Sequence, residues 1–356
     1  MRIMATFPWL TLTTSLGGNT LTCREPPLHL QNTTVESCSK PSYITIVGKR
    51  SKTALLNQML GNTASVPVHR DVYLWSSPQM RTGAGAPLVI IDCGVQNSNL
   101  QPTDSALISG TQTSKLPIPF TKSINAMLCG TVFSPFSSVL CCVVSDLGGP
   151  KAVAKWLARQ AALPKTYDLP TVPRVLLVVE TTSETFDERI AAQKATVLLL
   201  QAMQRIKAYP SSCDAERAIR QHFGDIEVLG LRSSKSNSVR VRRLKNRLLS
   251  MSEASMQERA NMSTQFSYSH FLVLSKQLLC NMSSTSPFHF AEASRPSGYS
   301  AEHAQSCLTD FLQQLPSQAW LWHFAAPIIA SALLLSSYPP HAHSKSPTFH
   351  TQRQLG

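Results

Sequence analysis

Tyr43-Ile-Thr-Ile-Val47 runs straight into Gly48-Lys-Arg-Ser-Lys52-Thr53, and then into Thr53–Leu60 with Leu55, Leu56, Met59 and Leu60 at helical spacing. A short β-branched run, a basic turn and an amphipathic run predict a strand feeding a helix through a tight loop. In a working phosphate loop such a turn aims backbone amides at phosphates, a lysine reaches the terminal phosphates, and a Ser or Thr holds magnesium. This loop reads G-x-x-x-K-T where the full motif is G-x-x-x-x-G-K-T, so it is shorter and lacks the glycine before the lysine. The candidate nucleotide-binding residues are Gly48, which permits the turn, Lys49, Ser51, Lys52 and Thr53. The bland alternative is a basic turn that holds no ligand.

Outward from this junction, Pro87–Asp92, Ser138–Val144 and Arg174–Val179 are continuous apolar runs of strand length. Pro150–Leu163 between the last two has a Pro at its first turn and reads as a helix. Unbroken apolar strands separated by helices fit a mostly parallel sheet covered on both faces. The fold class expected is therefore α/β, with a mostly parallel sheet flanked by helices and a helical C-terminal extension. Val72–Trp75 adds a strand near the edge, and Ile226–Leu231 another. Asp92 closes its strand where a phosphate-loop protein keeps the carboxylate that holds magnesium through water, so Thr53 and Asp92 are the candidate metal residues. As a strand-end cap, Asp92 would need no metal at all.

Residues 1–40, rich in Thr, Ser, Pro and Asn, read as a poorly ordered leader. Residues 41–232 form the α/β domain and 233–337 a helical extension, with helices over Arg240–Glu258, Gln265–Cys280, Ala301–Leu315 and Ala319–Ser336. Residues 338–356 read as a disordered tail.

With 43% hydrophobic residues in 356, the chain can bury a sizeable core, and disorder throughout is excluded. A net charge of +13 favours an anionic partner. None of the nine cysteines stands in a C-x-x-C pair, which predicts reduced, buried thiols and a cytoplasmic protein. Asn32, Asn261 and Asn281 open glycosylation-type triplets, but Pro8 and the threonines of Met4–Leu16 break the apolar core that a signal peptide needs.

As a set, Ile44–Gly48, Lys52–Leu56, Asp71–Leu74, Pro87–Cys93 and Phe136–Leu140 resemble the GTPase-like P-loop domain of large, uncharacterised fungal proteins, related to dynamin-like and other large GTPases. Ser286–Phe290 with Ala293-Ser294, and Ala325–Ser331, continue the likeness, which spans Tyr43 to Ser337. It implies a nucleotide-binding module, with GTP or ATP and Mg2+ as ligands, within a longer protein that has partner domains. The departures fall where the chemistry would sit. Besides the short loop, the relatives' D-C-E-G stretch is replaced by Asp92-Cys93-Gly94-Val95, and Glu180–Glu184 replaces the guanine-reading N/T-K-x-D. Losing charge-stabilising groups in phosphoryl transfer costs several powers of ten in rate. The expectation is a degenerate copy with weak or absent nucleotide binding, no catalytic residue, slow hydrolysis at most, and a regulatory or scaffold role beside an unknown protein partner.

The alternative is a basic interaction protein. Arg240, Arg242, Arg243, Lys245 and Arg247, beside Arg232 and Lys235, form the densest basic cluster and suit an anionic membrane surface. The lack of interleaved aromatics argues against RNA, and a solvated basic face is the plain reading. Ala319–Ser336 lacks formal charge and has Trp320 and Trp322 near one end, which would suit a membrane anchor. His323 and Pro327 oppose it. No G-x-S-x-G elbow is present, and His222, His270 and His289 stand singly.

Overall fold

The computed structural model describes residues 5–15, 18–24, 40–61, 71–83, 85–94, 113–118, 128–163, 167, 169–206, 211–262, 264–281, 288–293, 308–313, 317–327 and 329–330. It divides into two units, Met1–Phe288 and His289–Gly356.

The first unit is built on one sheet. Its strands are β1 (Ala5–Ser15), β2 (Gly18–Arg24), β3 (Ser42–Gly48), β4 (Asp71–Arg81), β5 (Pro87–Gly94), β6 (Thr113–Ile118), β7 (Ser137–Val143), β8 (Arg174–Thr181) and β9 (Ile226–Arg232), in the spatial order 6-2-1-4-5-3-7-8-9. From β5 to β9 every neighbouring pair is parallel, with Ile44 of β3 opposite both Ile90 of β5 and Val139 of β7. Parallel neighbours need crossovers, and helices supply them: α1 (Arg50–Met59), α2 (Pro150–Ala161), α3 (Glu188–Gln204) and α4 (Ser212–His222). Two more helices follow β9, α5 (Asn237–Asn261) and α6 (Tyr268–Cys280). This is the α/β class that the apolar runs predict.

Strand alternation sends successive side chains of β3 to opposite layers. Ile44 and Ile46 join Leu55 and Leu56 of α1 and Leu244, Leu248 and Met251 of α5 in one core. Tyr43 goes to the other side, where its ring stacks on Phe271 of α6 at 4.6 Å. Phe136 and Trp9 complete that aromatic cluster, each about 5.0 Å from Phe271. Ser42, buried, donates to Ser138 of β7 at 2.9 Å and also meets Ser252 of α5, so the polar edge of this core is satisfied internally.

Several expectations change here. β4 is an interior strand between β1 and β5, not one near the edge. Residues 5–15 and 18–24, read from composition as part of a poorly ordered leader, form an antiparallel pair whose first member is zipped to β4. Their Thr-rich alternation is a strand pattern that composition hides, and Trp9, 1% exposed, anchors it. Helices α5 and α6, part of the extension expected to pack on the α/β domain, lie within the first unit with the sheet.

In the second unit the described helical pieces are short: Phe290–Ala293, 308–313, Gln318–Trp320 and the π-helical turn Leu321–Ala325. Among the described residues no helix is long and apolar enough to cross a membrane. Residues 331–336 of the proposed anchor and the tail 338–356 lie outside the described residues.

Candidate functional site

The C-terminal ends of β5, β3 and β7 lie side by side, so the segments following them meet above the sheet, where open α/β folds place their sites. Gly48 ends β3, Lys49 is the residue preceding α1, and Arg50 starts the helix. The direct passage from a central parallel strand into a helix therefore holds. Glycine is required at 48 by space: a Cβ there would stand 2.7 Å from the Cβ of Lys52 and 2.9 Å from Oδ2 of Asp146.

The structure brings Lys52 and Asp92 together. The Lys52 ammonium forms an ion pair with Oδ1 of Asp92, the two side chains being 5% and 2% exposed. Burial raises the Asp92 carboxyl above its ordinary value, and the attraction of Lys52 partly offsets the rise. The Thr53 hydroxyl donates back to the Lys49 carbonyl at 2.8 Å. Ser51 Oγ stands 3.4 Å from the hydroxyl of Ser145.

Asp146, just past β7, is the residue that sequence reading missed. Its Oδ2 accepts from the backbone N–H groups of Lys49 at 2.7 Å and Lys52 at 2.8 Å, and its Oδ1 accepts from Ser51 N–H at 3.0 Å. Helix α1 has no side-chain cap of its own and no acid in its first turn, so this carboxylate from the neighbouring strand serves as its cap. A signal was available: an acid followed by Gly148-Gly149 directly after an apolar strand. Both glycines adopt left-handed backbone, φ 91° and 94°.

A bound magnesium nucleotide needs the loop amides, the lysine ammonium and the Thr hydroxyl turned toward phosphate and metal. Here the amides serve Asp146, the ammonium serves Asp92, and the hydroxyl serves the Lys49 carbonyl. As arranged, these residues do not fit that ligand. The metal pair proposed from sequence, Thr53 and Asp92, likewise has both members engaged by protein groups.

Beside Asp146 a cavity of about 440 Å³ opens, lined by Lys49, the loop Ser145–Gly148, and Ala152, Lys155, Trp156 and Arg159 of α2. In the basic cluster on α5, Arg240 pairs with Glu180, Arg243 with Glu188 at 2.8 Å, and Arg247 with Glu227. Much of that charge is balanced within the fold.

Among solved structures, the chain is similar to Toc33 from Arabidopsis thaliana in complex with Mg2+ and GMPPNP, at 14% identity and TM-score 0.33, covering 65% of this chain and 89% of that one. The complex of Toc33 with GDP and Mg2+ gives 12% and 0.32 over the same shares. The siderophore hydrolase EstA from Aspergillus nidulans gives 12% and 0.29, covering 71% of this chain and 95% of that one. No family model and no curated protein matches the sequence. The fold class rests on the strand order and the crossovers themselves.

Proposed function

We propose that this chain is a degenerate GTPase-like P-loop domain that binds nucleotide weakly or not at all and works as a cytoplasmic regulatory or scaffold module for a protein partner. One observation carries the reading: the turn after β3 keeps the strand, helix, Lys52 and Asp92 of a phosphate site, while an internal carboxylate, Asp146, takes the amides a phosphate would use. An entering phosphate must displace Asp146 and part Lys52 from Asp92, and both exchanges oppose binding. With the loop shortened and the D-C-E-G acid replaced by Gly94, the domain is at most a slow NTPase. The alternative, attraction of the 232–247 cluster to an anionic membrane, has less support, because Arg240, Arg243 and Arg247 are held in ion pairs.

Titration with labelled GTP and ATP in magnesium, with Lys52→Ala as control, tests the reading. Affinity no tighter than about 1 mM, or weak affinity abolished by the substitution, is the expected result. Tight nucleotide binding that ignores Lys52 would overturn it, as would turnover at ordinary NTPase rates.

A further inference from the structure

We propose that Cys93 and Cys129 form a redox-sensitive lock on the end of β5: in the presence of a low-molecular-weight disulfide the fold selects one cross-link, between these two sulfurs. Two observations carry this, and a third gives it its consequence.

The first is contact. The Cys129 thiol donates to the sulfur of Cys93 at 3.5 Å, between residues 36 positions apart in sequence. Cys93 stands one residue before the end of β5. Cys129 lies in the π-helical turn Leu128–Phe133 that precedes β7, where its carbonyl accepts from the Ser134 N–H at 2.9 Å. Bonded sulfurs stand about 2.0 Å apart, so these two need to close by only about 1.5 Å.

The second is the exclusion of other partners. Cys93 and Cys142 both stand opposite Val47 of β3, one on each side of it. Two strand spacings, about 9.5 Å, separate their backbones, beyond the about 7 Å that a disulfide spans. Cys141, the neighbour of Cys142 on β7, alternates to the other layer, where it joins Ile46 in the core with α1 and α5. Cys213 and Cys280 are exposed, whereas Cys93 and Cys129 are buried. Among the described cysteines, the closed fold therefore leaves Cys129 as the partner within reach of Cys93.

The third is position. Cys93 directly follows Asp92, whose carboxylate pairs with Lys52 of α1. A bond from Cys93 to the turn before β7 closes the intervening loop and fastens the strand end that carries this pair.

Glutathione disulfide is the oxidant. One cysteine thiolate attacks it, its S–S bond breaks, and one glutathione thiolate leaves behind a mixed disulfide. The second cysteine thiolate attacks the protein sulfur of that bond and expels the other glutathione. In sum the two cysteine thiols lose two electrons and two protons, and the oxidant takes them up as two glutathione thiols. Because both sulfurs are buried, the exchange runs on the chain as it folds or opens, and closure of the fold chooses the pairing.

The test uses the full chain, unfolded in urea and refolded in a buffer of reduced and oxidised glutathione, then trapped with acid, alkylated and digested without reduction for mass spectrometry. The expected product carries a Cys93–Cys129 cross-link, with an exchange constant against glutathione at least about tenfold larger in the refolded chain than in urea. Cys142→Ser should keep the cross-link and Cys129→Ala should abolish it. If Cys129→Ala fails to fold, the wild-type peptide map decides by itself, because it locates the bond directly. The oxidised wild type should melt several degrees above the reduced protein, a difference absent in Cys93→Ala. If Cys93 joins any other cysteine, or if both residues stay thiols at a glutathione ratio that oxidises them in urea, they are packing groups and the proposal falls. An oxidised form that melts below the reduced one sinks it equally, since the fold would then be rejecting the bond.

Discussion

The ammonium of Lys52 and the carboxylate of Asp92 meet inside the protein, tying the first turn of α1 to the end of β5. Removing one partner leaves a buried charge uncompensated, so Lys52→Met should lower stability by about 3–5 kcal/mol in urea unfolding. Adding Asp92→Leu should restore most of that loss, because a buried pair is replaced by apolar groups. A double variant as unstable as the single one would show that the pair is not the source of the effect. The pH dependence follows from the raised Asp92 value. In the fold the ionised carboxylate is penalised, so stability falls as pH climbs from the ordinary carboxyl value of 3.8 through the higher folded value. Without Lys52 the folded value rises further, and the deficit of Lys52→Met should shrink on acidification towards about pH 4.

Asp146 caps α1 from another strand, and its removal should be felt as three orphaned amides. Asp146→Ala is expected to cost about 1–3 kcal/mol. Phosphate or sulfate, matched against chloride at equal ionic strength, should raise the melting temperature of this variant more than that of the wild type, since an anion can then reach the amides. Equal salt responses would mean that the amides find other partners.

Arg259 is fully buried and binds backbone: Nη1 donates to the Pro135 carbonyl at 2.9 Å and Nη2 to the Ser137 carbonyl at 2.8 Å, fixing the entry to β7. Burial pulls its guanidinium down to about 10, still cationic at neutral pH. A lysine keeps the charge but not the fork, so Arg259→Lys should still lose about 2 kcal/mol or more in chemical denaturation. A variant with wild-type stability would deny Arg259 that bracing role.

The core thiols should stay protonated well into alkali. Burial pushes Cys141 up to about 12 and raises Cys142, while the contact with Cys93, followed by burial, raises Cys129. In the unfolded chain these thiols ionise near 9, so above that pH the folded state holds more protons and stability must fall with rising pH, by about 1.4 kcal/mol per pH unit per thiol until the folded value is passed. At pH 8 an alkylating reagent should label exposed Cys213 and Cys280 first among the described cysteines, with Cys129, Cys141 and Cys142 reacting only on unfolding. Mass spectrometry of the labelled chain checks the order.

The antiparallel half of the sheet shows where local reading ends. Val72–Trp75 is visible as a β-branched and aromatic run, yet its place inside the sheet depends on β1 arriving from far away in sequence, and that pairing has no local signature. Ala5–Ser15 is threonine-rich with apolar residues interspersed; its place in the sheet is held where Trp9 meets Phe133 and Phe271. The basic stretch 240–247 looks like a surface for anions until Glu180, Glu188 and Glu227 are brought to it from three other segments.

Taken alone, the order of residues specified the β3 turn into α1, the parallel strands around it and the glycine at 48, whereas the pairing of Lys52 with Asp92 follows from the adjacency of β3 and β5. Strand and helix periodicity are local properties, and strand ends in a parallel sheet point the same way. Which anion rests against the amides of Lys49, Ser51 and Lys52 was settled by the fold, because Asp146 lies 94 residues from Lys52 along the chain and reaches the turn only through the adjacency of β3 and β7. Hydrogen-bonding groups at a helix start must find a partner, and only three-dimensional packing determines whether that partner comes from solution or from the protein itself.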